Sequence, residues 1–484
     1  MKLIKLLIFL LIAVSANISA QQYPATEIRA VWLTTNWGLD WPRQAGSVTS
    51  QKNELRSILD RLEENNINIV LFQARMQGTT MYRSSIEPLN PIFNHSEGFD
   101  PLAFAIEECH KRGMECHAWI IAYPDEKVKY SGKGKRRKIV NSKPSYYKEI
   151  DGRWYLDPGR PETREHILSI TKEIVRNYDV DGVHFDYIRY PSNTRKFPDS
   201  DTYQKYGKGQ NIYDWRRDNI NKLIFDIYDS VKSIKNWVQV SSSPLGRYRV
   251  LPHAPNDGWT GYETVFQDAG NWMRSGKHDL VFPMMYYKER LFYPFVEDWV
   301  ANSGGRYVVP GLGAYQMMSN EQNWSLQNLT DQMTYLRQNK DVKGQAYFRA
   351  GNILDNLKGI NDSIQAYYPY PAKLPALTWL NNASPNSPVN LEIYKDRNGM
   401  LNIKWDAPGN SESYTYTVYV SSSEDIDTND ARNILATGIH NNNIAFPIRT
   451  GEFGMYYTVT ASDRYHNESV ICFPAFFSHS TNEQ

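Results

Sequence analysis

The sequence predicts an α/β fold class: a (β/α)8 TIM barrel over residues 21–370, followed by a small all-β sandwich over residues 389–484. Eight apolar, β-branched segments alternate with eight amphipathic segments, which is the order of a closed barrel. Residues 371–388 are rich in Pro, Asn and Ser, which predicts a linker. Beyond them, short alternating segments are typical of fibronectin type III or immunoglobulin-like sandwiches. An open doubly wound sheet is the structural alternative, but no glycine-rich phosphate loop supports it.

The strands are predicted from β-branched and aromatic residues between polar clusters. In the barrel they cover residues 29–35, 68–76, 115–122, 182–190, 238–243, 280–287, 307–315 and 344–350. In the sandwich they cover residues 389–394, 400–405, 414–421, 444–447, 455–461 and 471–476.

The intervening helices are predicted from their caps and apolar stripes. Ser50 is expected to cap a helix whose apolar residues between 55 and 62 share one face. Asp100 is expected to cap the next helix, with Pro101 at its first position, and Pro161 to open the third. The remaining helices are expected over residues 213–235, 262–274, 295–301, 326–336 and 353–367.

Composition and the amino terminus limit the function classes. The 484-residue chain has a formal net charge of +1, which argues against a dedicated nucleic-acid binder. Lys2 and Lys5, followed by apolar residues 6–14, predict a signal peptide over residues 1–20. The mature chain is then expected in the periplasm, the cell envelope or outside the cell, without stable membrane insertion. Three cysteines are an odd and sparse set that does not suggest a disulfide framework.

The segment DGVHFDYIRYP, residues 181–191, introduces polar side chains into a strand that is otherwise apolar on both faces. Charges there are costly unless they face a solvated opening or a partner. Pro191 ends the strand, so Asp186 lies near its carboxyl end, where barrels carry their chemistry. We therefore predict Asp186 as a catalytic residue; an ion pair with Arg189 or His184 is the structural alternative.

Polar and aromatic side chains recur at the carboxyl ends of most of the other strands. Because those ends surround one cleft, their recurrence is a stronger signal than any single residue. Aromatic rings combined with amide, imidazole and guanidinium donors suit a carbohydrate. The predicted substrate-binding residues are Asn36, Gln73, Arg75, His117, Trp119, Tyr123, His184, Arg189, Tyr190, Tyr286, Tyr287, Tyr315 and Tyr347.

No cofactor and no metal ligand are predicted. His117, His184 and Asp186 make a metal site the weaker alternative. The chain has no HxH or HExxH spacing there, which counts against zinc.

A long segment, residues 123–160, joins the third strand to its helix and carries seven Lys and Arg residues between Lys127 and Lys138. Long loops inside compact domains are usually functional. The basic cluster is either a solvated surface or an attractor of an anionic polymer, and both interpretations are open.

Five motifs occur in order along the barrel: EIRAVWLTT at 27–35, FQAR at 72–75, HAW at 117–119, DPGRPETR at 157–164 and GVHFDYIRYP at 182–191. Together they resemble the glycosyl hydrolase-like 10 family of secreted and envelope proteins of bacteria, over about residues 28–367. The resemblance implies a (β/α)8 barrel that acts on glycans, in at least one member type on peptidoglycan strands stripped of their peptides. The family motif often has a second Asp where this chain has Tyr187, so only Asp186 carries over.

Ordinary glycoside hydrolysis needs two carboxylates. Glu289, just past the sixth strand, is predicted as the second catalytic residue, with Asp157 and Asp125 as weaker candidates. On an N-acetylated substrate the acetamide can act as the nucleophile instead. Tyr286 would then hydrogen-bond the acetamide, as the similar tyrosine does in chitinase-like barrels, and both mechanisms are open.

The predicted function is an exported glycoside hydrolase that cleaves a bacterial N-acetylated glycan, with peptide-free peptidoglycan strands as the expected substrate. The ambiguous second carboxylate favours the alternative, a non-catalytic glycan-binding barrel of the cell envelope. A structural or adhesion protein organised by the sandwich is the third hypothesis.

Overall fold

Eight parallel strands hydrogen-bond in a closed ring. The computed structural model describes residues 23–93, 98–128, 142–192, 194–255, 258–409, 414–448 and 453–478. The ring consists of β1 (Ile28–Leu33), β2 (Ile69–Met76), β3 (Glu115–Ile121), β4 (Gly182–Asp186), β5 (Gln239–Ser242), β6 (Leu280–Val281), β7 (Tyr307–Val308 and Gly311–Leu312) and β8 (Gly344–Tyr347). Each strand pairs in parallel with the next, and β8 pairs with β1. The predicted (β/α)8 barrel is therefore confirmed.

Two prolines shorten strands that the sequence predicts as continuous. Pro310 separates the two segments of β7, and Pro283 follows the end of β6, because proline has no backbone N–H to donate to a neighbour. The first segment of β7 pairs with β6 and the second with β8, so the ring still closes. Strands β1, β2 and β4 are buried at every position, as expected for parallel strands covered on both faces.

Each strand is followed by an outer helix in the described chain. The helices are α1 (Val48–Glu64), α2 (Pro101–His110), α3 (Pro161–Asn177), α4 (Ile212–Ile234), α5 (Ala269–Arg274), α6 (Tyr293–Ala301), α7 (Leu326–Gln338) and α8 (Ile360–Tyr367). Shorter helices cover Ser200–Tyr206, Gly261–Thr264 and Ala350–Leu354. Across the described ranges, no helix combines the length and the hydropathy needed to cross a membrane.

Two of the predicted helix starts are confirmed and one is wrong. Asp100 caps α2 by accepting a hydrogen bond from the Ala103 N–H at 3.0 Å, and Pro161 is the first residue of α3. The cap of α1 is Ser47, not Ser50. The N–H of Ser50 donates to the Ser47 Oγ at 3.1 Å, because it lies in the first turn and has no partner within the helix.

The predicted helices over 262–274 and 353–367 are each interrupted. Phe266 has φ +55°, in the left-handed region, and separates Gly261–Thr264 from α5. Lys358 and Gly359, with φ +53° and +86°, interrupt the second helix in the same way.

The carboxyl-terminal part is a pair of antiparallel sheets. Its strands are β9 (Val389–Lys395), β10 (Met400–Asp406), β11 (Thr415–Ser421), β12 (Ile434–Ile439), β13 (Asn443–Pro447), β14 (Met455–Ser462) and β15 (Ala475–Phe477). One sheet has the order β9-β10-β13 and the other β12-β11-β14-β15. Their inner faces bury Ile403, Trp405, Val418 and Val459 in one core. Strand β12 was not predicted, because its Ala436-Thr437-Gly438 centre lacks a strong apolar alternation.

The sandwich and the segment before it contact the amino-terminal end of the barrel. Lys373 exchanges backbone hydrogen bonds with Ala25 and Glu27, which precede β1. The Trp379 indole N–H donates to Asp279, which precedes β6, at 2.8 Å. Within the described ranges, no residue of the sandwich lines the cleft at the carboxyl ends of the barrel strands.

Histidine–carboxylate pairs are concentrated where the sandwich meets the barrel. His110, the last residue of α2, lies 2.8 Å from the Asp181 carboxylate, and its ring stacks on His440 with centroids 4.8 Å apart. Burial disfavours a charged His110, but the attraction of Asp181 outweighs it and raises the pKa of His110 to about 9. A charged His110 therefore stabilises the folded state.

Raising the pH from 6.5 to about 10 should lower the free energy of unfolding by about 3 kcal/mol through His110, since each pKa unit corresponds to about 1.4 kcal/mol. The stabilisation is fully present below the usual pKa of 6.5 and is lost as His110 deprotonates near pH 9. Urea midpoints measured across this range should depend less on pH in His110→Gln. The exposed His253→Gln is the matched control and should keep the wild-type dependence. An unchanged dependence in His110→Gln would contradict the assignment.

Candidate active site

A cleft of about 810 Å³ opens at the carboxyl ends of the barrel strands. Barrels of this class carry their chemistry at this end, because the loops that follow the strands meet there. The structure brings together eight of the predicted site residues, which line the cleft: Asn36, Gln73, Trp119, Asp186, Arg189, Tyr286, Tyr287 and Tyr315.

His117 and His184 lie inside the barrel below the cleft and do not line it. His184 accepts a hydrogen bond from the Trp32 indole N–H at 3.1 Å and contacts the Ser241 hydroxyl at 3.0 Å. Burial pushes the pKa of His184 well below its usual value, so the ring is neutral and its second nitrogen donates to Ser241. His117 contacts Glu115 at 2.9 Å, at the opposite end of the barrel. The prediction that these two bind substrate directly is wrong. The described residues contain no group of three or more potential metal ligands.

Arg75 also lies outside the cleft, because β2 contains an irregularity. Gln73 is in register with Trp119, but Arg75 is in register with Ile120, so one extra residue in β2 turns Arg75 away from the interior. Its guanidinium forms hydrogen bonds of 2.7 and 2.8 Å to the buried Glu87 carboxylate. Arg75 is a structural residue.

Three predicted tyrosines pack in the protein interior. The Tyr123 ring stacks on Tyr155 with centroids 6.1 Å apart. Tyr190 is fully buried, and the Tyr347 hydroxyl lies 2.9 Å from the Tyr368 hydroxyl behind the barrel wall. None of the three lines the cleft, so their predicted contact with substrate is corrected.

Asp186 ends β4 at the floor of the cleft with only 6% of its surface exposed. Burial disfavours the charged carboxylate and raises the pKa of Asp186 to about 6, although the charge of Arg189 and the N–H of Tyr187, 2.7 Å away, act in the opposite direction. Ser243 and Trp119 also lower the pKa slightly. No carboxylate–cation ion pair holds Asp186 among the described residues, so a purely structural role is not supported.

Tyr286 stands next to Asp186 in the cleft. Burial raises the pKa of Tyr286 well above its usual value, and the nearby Asp186 charge acts in the same direction. Its ring meets Tyr315 edge to face at 5.4 Å and packs on Phe348 at 5.7 Å. The hydroxyl therefore stays protonated and can donate a hydrogen bond to a ligand.

The structure does not bring Glu289 to Asp186. Glu289 lies in an exposed turn beyond β6, where its φ of +44° directs the chain away from the barrel, and it does not line the cleft. Asp157 is buried and accepts hydrogen bonds from Thr202 at 2.5 Å and from the Gly159 N–H at 3.0 Å. Asp125 accepts the N–H of the next residue at 2.7 Å. Asp157 and Asp125, the weaker candidates for the second catalytic residue, do not line the cleft either.

Asp151 is the other described carboxylate that lines the cleft, and sequence reasoning missed it. It occupies the turn of a β-hairpin, Tyr147–Ile150 and Arg153–Leu156, within the long segment after β3. Asp151 and Gly152 have φ +50° and +69°, as two-residue hairpin turns require. The Asp-Gly pair between alternating apolar residues was the signal that could have revealed the hairpin.

Other cleft residues were also missed. Trp32 and Tyr155 contribute rings to the walls, and Trp259 contributes a ring that is 52% exposed. Arg153 adds a guanidinium group. Trp32 lies within the apolar sequence of β1, so the sequence alone does not distinguish it from a residue that only packs in the core.

The predicted basic cluster lies mostly outside the described residues. Of its seven members, only Lys127 falls within them, and its ammonium lies 5.9 Å from the centre of the Trp37 ring. The two interpretations of the cluster therefore remain predictions.

Comparison with known proteins agrees with this geometry. The family described as glycosyl hydrolase-like 10 matches residues 27–303. The chain is 32% identical over 492 residues to glycosyl hydrolase YngK of Bacillus subtilis (strain 168), covering 94% of both proteins. It is also 32% identical over 324 residues to glycosyl hydrolase DigH of Escherichia coli (strain K12), covering 58% of this chain and 71% of that protein. The PgaB (BpsB) glycoside hydrolase domain from Bordetella bronchiseptica shares the fold, with a TM-score of 0.50 at 14% identity over 71% of this chain and 99% of that domain.

The closed barrel and the aromatic cleft with its buried carboxylic acid define a glycoside hydrolase of the (β/α)8 class. The chain belongs to the glycosyl hydrolase-like 10 family.

The pH profile of hydrolysis should report the raised pKa of Asp186. The prediction that Asp186 is a catalytic acid requires its protonated form, so kcat/KM should fall as the pH rises through about 6. At pH 7, about one tenth of Asp186 is then still protonated, whereas an Asp with its ordinary pKa would be almost fully ionised. The measurement is kcat/KM between about pH 4 and 8 on a soluble oligosaccharide. A descending limb near pH 4 would show that burial does not control Asp186.

Proposed function

We propose that this glycoside hydrolase cleaves glycosidic bonds in an N-acetylated bacterial glycan, with peptide-free peptidoglycan strands as its substrate and Asp186 as its general acid. The observation that carries the proposal is the position of Asp186, a buried acid with a pKa near 6 at the floor of an aromatic cleft. Such a group can donate a proton at neutral pH, as leaving-group departure requires.

The proposed chemistry uses the acetamide of the substrate as the nucleophile. Asp186 protonates the glycosidic oxygen, and the acetamide oxygen attacks the anomeric carbon as the bond breaks. The Tyr286 hydroxyl hydrogen-bonds the acetamide and fixes its orientation. Two features support this mechanism over a pair of protein carboxylates: Tyr286 stands beside Asp186, and the other described cleft carboxylate, Asp151, lies on an exposed hairpin turn.

The aromatic walls suit a sugar polymer. The accessible rings of Tyr287 and Trp259 offer apolar faces on which pyranose rings can stack, and the polar atoms of Gln73 can orient hydroxyl groups. The predicted signal peptide over residues 1–20 would place the enzyme in the cell envelope, where peptidoglycan is found.

Asp186→Asn should lower the rate of reducing-end formation from peptide-free peptidoglycan by at least about 100-fold, because the amide cannot donate the proton to the leaving group. Asp151→Asn should retain most of the activity if the acetamide is the nucleophile. Asp226→Asn, at a half-buried residue of α4 that pairs with Arg164 and does not line the cleft, is the matched control and should behave as the wild type. Circular dichroism should show the same fold for all three variants.

Three results would change the proposal. Full activity in a folded Asp186→Asn would remove Asp186 from the mechanism. Inactivation by Asp151→Asn as complete as that by Asp186→Asn would favour a pair of carboxylates. Binding of the strands by the wild type without any new reducing ends would favour the non-catalytic glycan-binding barrel.

A further inference from the structure

Arg189 is a buried cation that lines the cleft without a carboxylate partner among the described residues. Only 7% of its surface is exposed. Its Nε is buried without a hydrogen-bond partner, and among the described residues no carboxylate oxygen lies within 4.0 Å of its nitrogens. A guanidinium has five N–H donors, so Arg189 can donate hydrogen bonds to an acceptor bound in the cleft.

Three other buried arginines of this protein are paired with carboxylates. Arg75 binds Glu87 at 2.7 Å, Arg216 binds Asp199 at 2.7 Å and Arg29 binds Glu27 at 2.8 Å. Burying a charge is costly unless it is paired and hydrogen-bonded, and these three obey that rule. Arg189 has no such carboxylate partner among the described residues, and it lines the cleft, where a ligand can supply the missing anion.

The surroundings hold Arg189 in position. The Tyr155 hydroxyl donates a hydrogen bond to the Arg189 backbone carbonyl. The guanidinium lies over the Tyr187 ring, with its central carbon 4.7 Å from the ring centre. Arg153, on the hairpin that borders the cleft, adds a second cation that is half-buried and has no carboxylate partner among the described residues.

We propose that Arg189, assisted by Arg153, binds a carboxylate carried by the sugar next to the bond that Asp186 cleaves. Guanidinium and carboxylate match in a planar, two-bonded geometry, which makes arginine the favoured residue for such recognition. This inference rests on the proposed function, whose substrate supplies a carboxylate in the lactyl group of muramic acid. Where a peptide stem is attached, that carboxylate is replaced by an amide without charge, so the site selects strands stripped of their peptides.

A purely electrostatic role is the competing explanation. The charge of Arg189 also lowers the pKa of Asp186, so its loss would change the rate on every substrate. Only a binding role for the carboxylate makes the effect depend on the substituent of the sugar. The ratio of kcat/KM for two strands that differ only in that group therefore separates the two roles.

The experiment compares peptide-free strands with the same strands after reduction of the lactyl carboxylate to an alcohol. The wild type should have a higher kcat/KM on the strands with the free carboxylate than on the reduced strands. Arg189→Gln should lower the ratio of these two kcat/KM values by about 10-fold or more, towards one. Arg189→Lys keeps the charge but not the paired hydrogen bonds, so its ratio should fall in between. It also tests the inference if Arg189→Gln does not fold. Arg249→Gln removes an equal charge outside the cleft and should keep the wild-type ratio.

An unchanged ratio of kcat/KM in Arg189→Gln, together with a rise in the pH at which activity falls, would overturn the inference. Arg189 would then act only by lowering the pKa of Asp186. Equal cleavage of both strands by the wild type would overturn it too, while the proposed function stands. If the wild type cleaves neither strand, the proposed function fails, and the inference is tested by calorimetric measurement of binding. Tighter binding of the strand with the free carboxylate, lost in Arg189→Gln, would support the inference. Equal binding of the two strands would overturn it. A different result would be tighter binding of hyaluronan oligosaccharides than of peptide-free strands, seen only when Arg189 is present. It would show that Arg189 binds the carboxylate of a uronic acid and would overturn the assignment to the lactyl group.

Discussion

The burial of the Asp186 carboxyl group is the constraint on which the rest of the cleft depends. At the end of β4 the carboxyl group is buried, so the charged form is disfavoured and the pKa of Asp186 is raised to about 6. A paired Asp186 would lose this property, because a close cation would stabilise the carboxylate. The structure instead offers it one strong backbone donor and a guanidinium beyond 4.0 Å.

The two ends of the barrel serve different purposes. At the amino-terminal end, Glu115 contacts His466 of the sandwich, and Asp279 accepts a hydrogen bond from Trp379 in the segment before the sandwich. These contacts attach the sandwich to the barrel. At the carboxyl end, Asp186 and Arg189 lie close together without an ion pair, which leaves both available to a ligand. Buried polar groups are normally hydrogen-bonded or paired. Those at the amino-terminal end of the barrel have partners within the protein, which indicates a structural role. Asp186 and Arg189 at the carboxyl end do not form an ion pair, which indicates a functional role.

The sequence predicted the barrel order, most caps and the central acid, because each rests on local residue patterns. It could not separate residues by depth: His184 and Asp186 share one face of β4, but the first packs against Trp32 and the second reaches the cleft. It also could not predict that an irregularity in β2 turns Arg75 outward, or that Glu289 ends in an exposed turn, because both depend on register and chain direction. The hairpin carrying Asp151 had a local signal, the Asp-Gly pair between alternating apolar residues.

The most direct test of the account is a structure of the Asp186→Asn protein with a short strand of alternating N-acetylglucosamine and muramic acid. The account predicts that the strand lies along the cleft, with a glycosidic oxygen about 2.6–3.2 Å from the side chain of residue 186. The acetamide of the sugar on its non-reducing side should lie against the Tyr286 hydroxyl. A strand bound at the sandwich, or in the cleft with no glycosidic oxygen near residue 186, would contradict the claim that this acid cleaves the glycan.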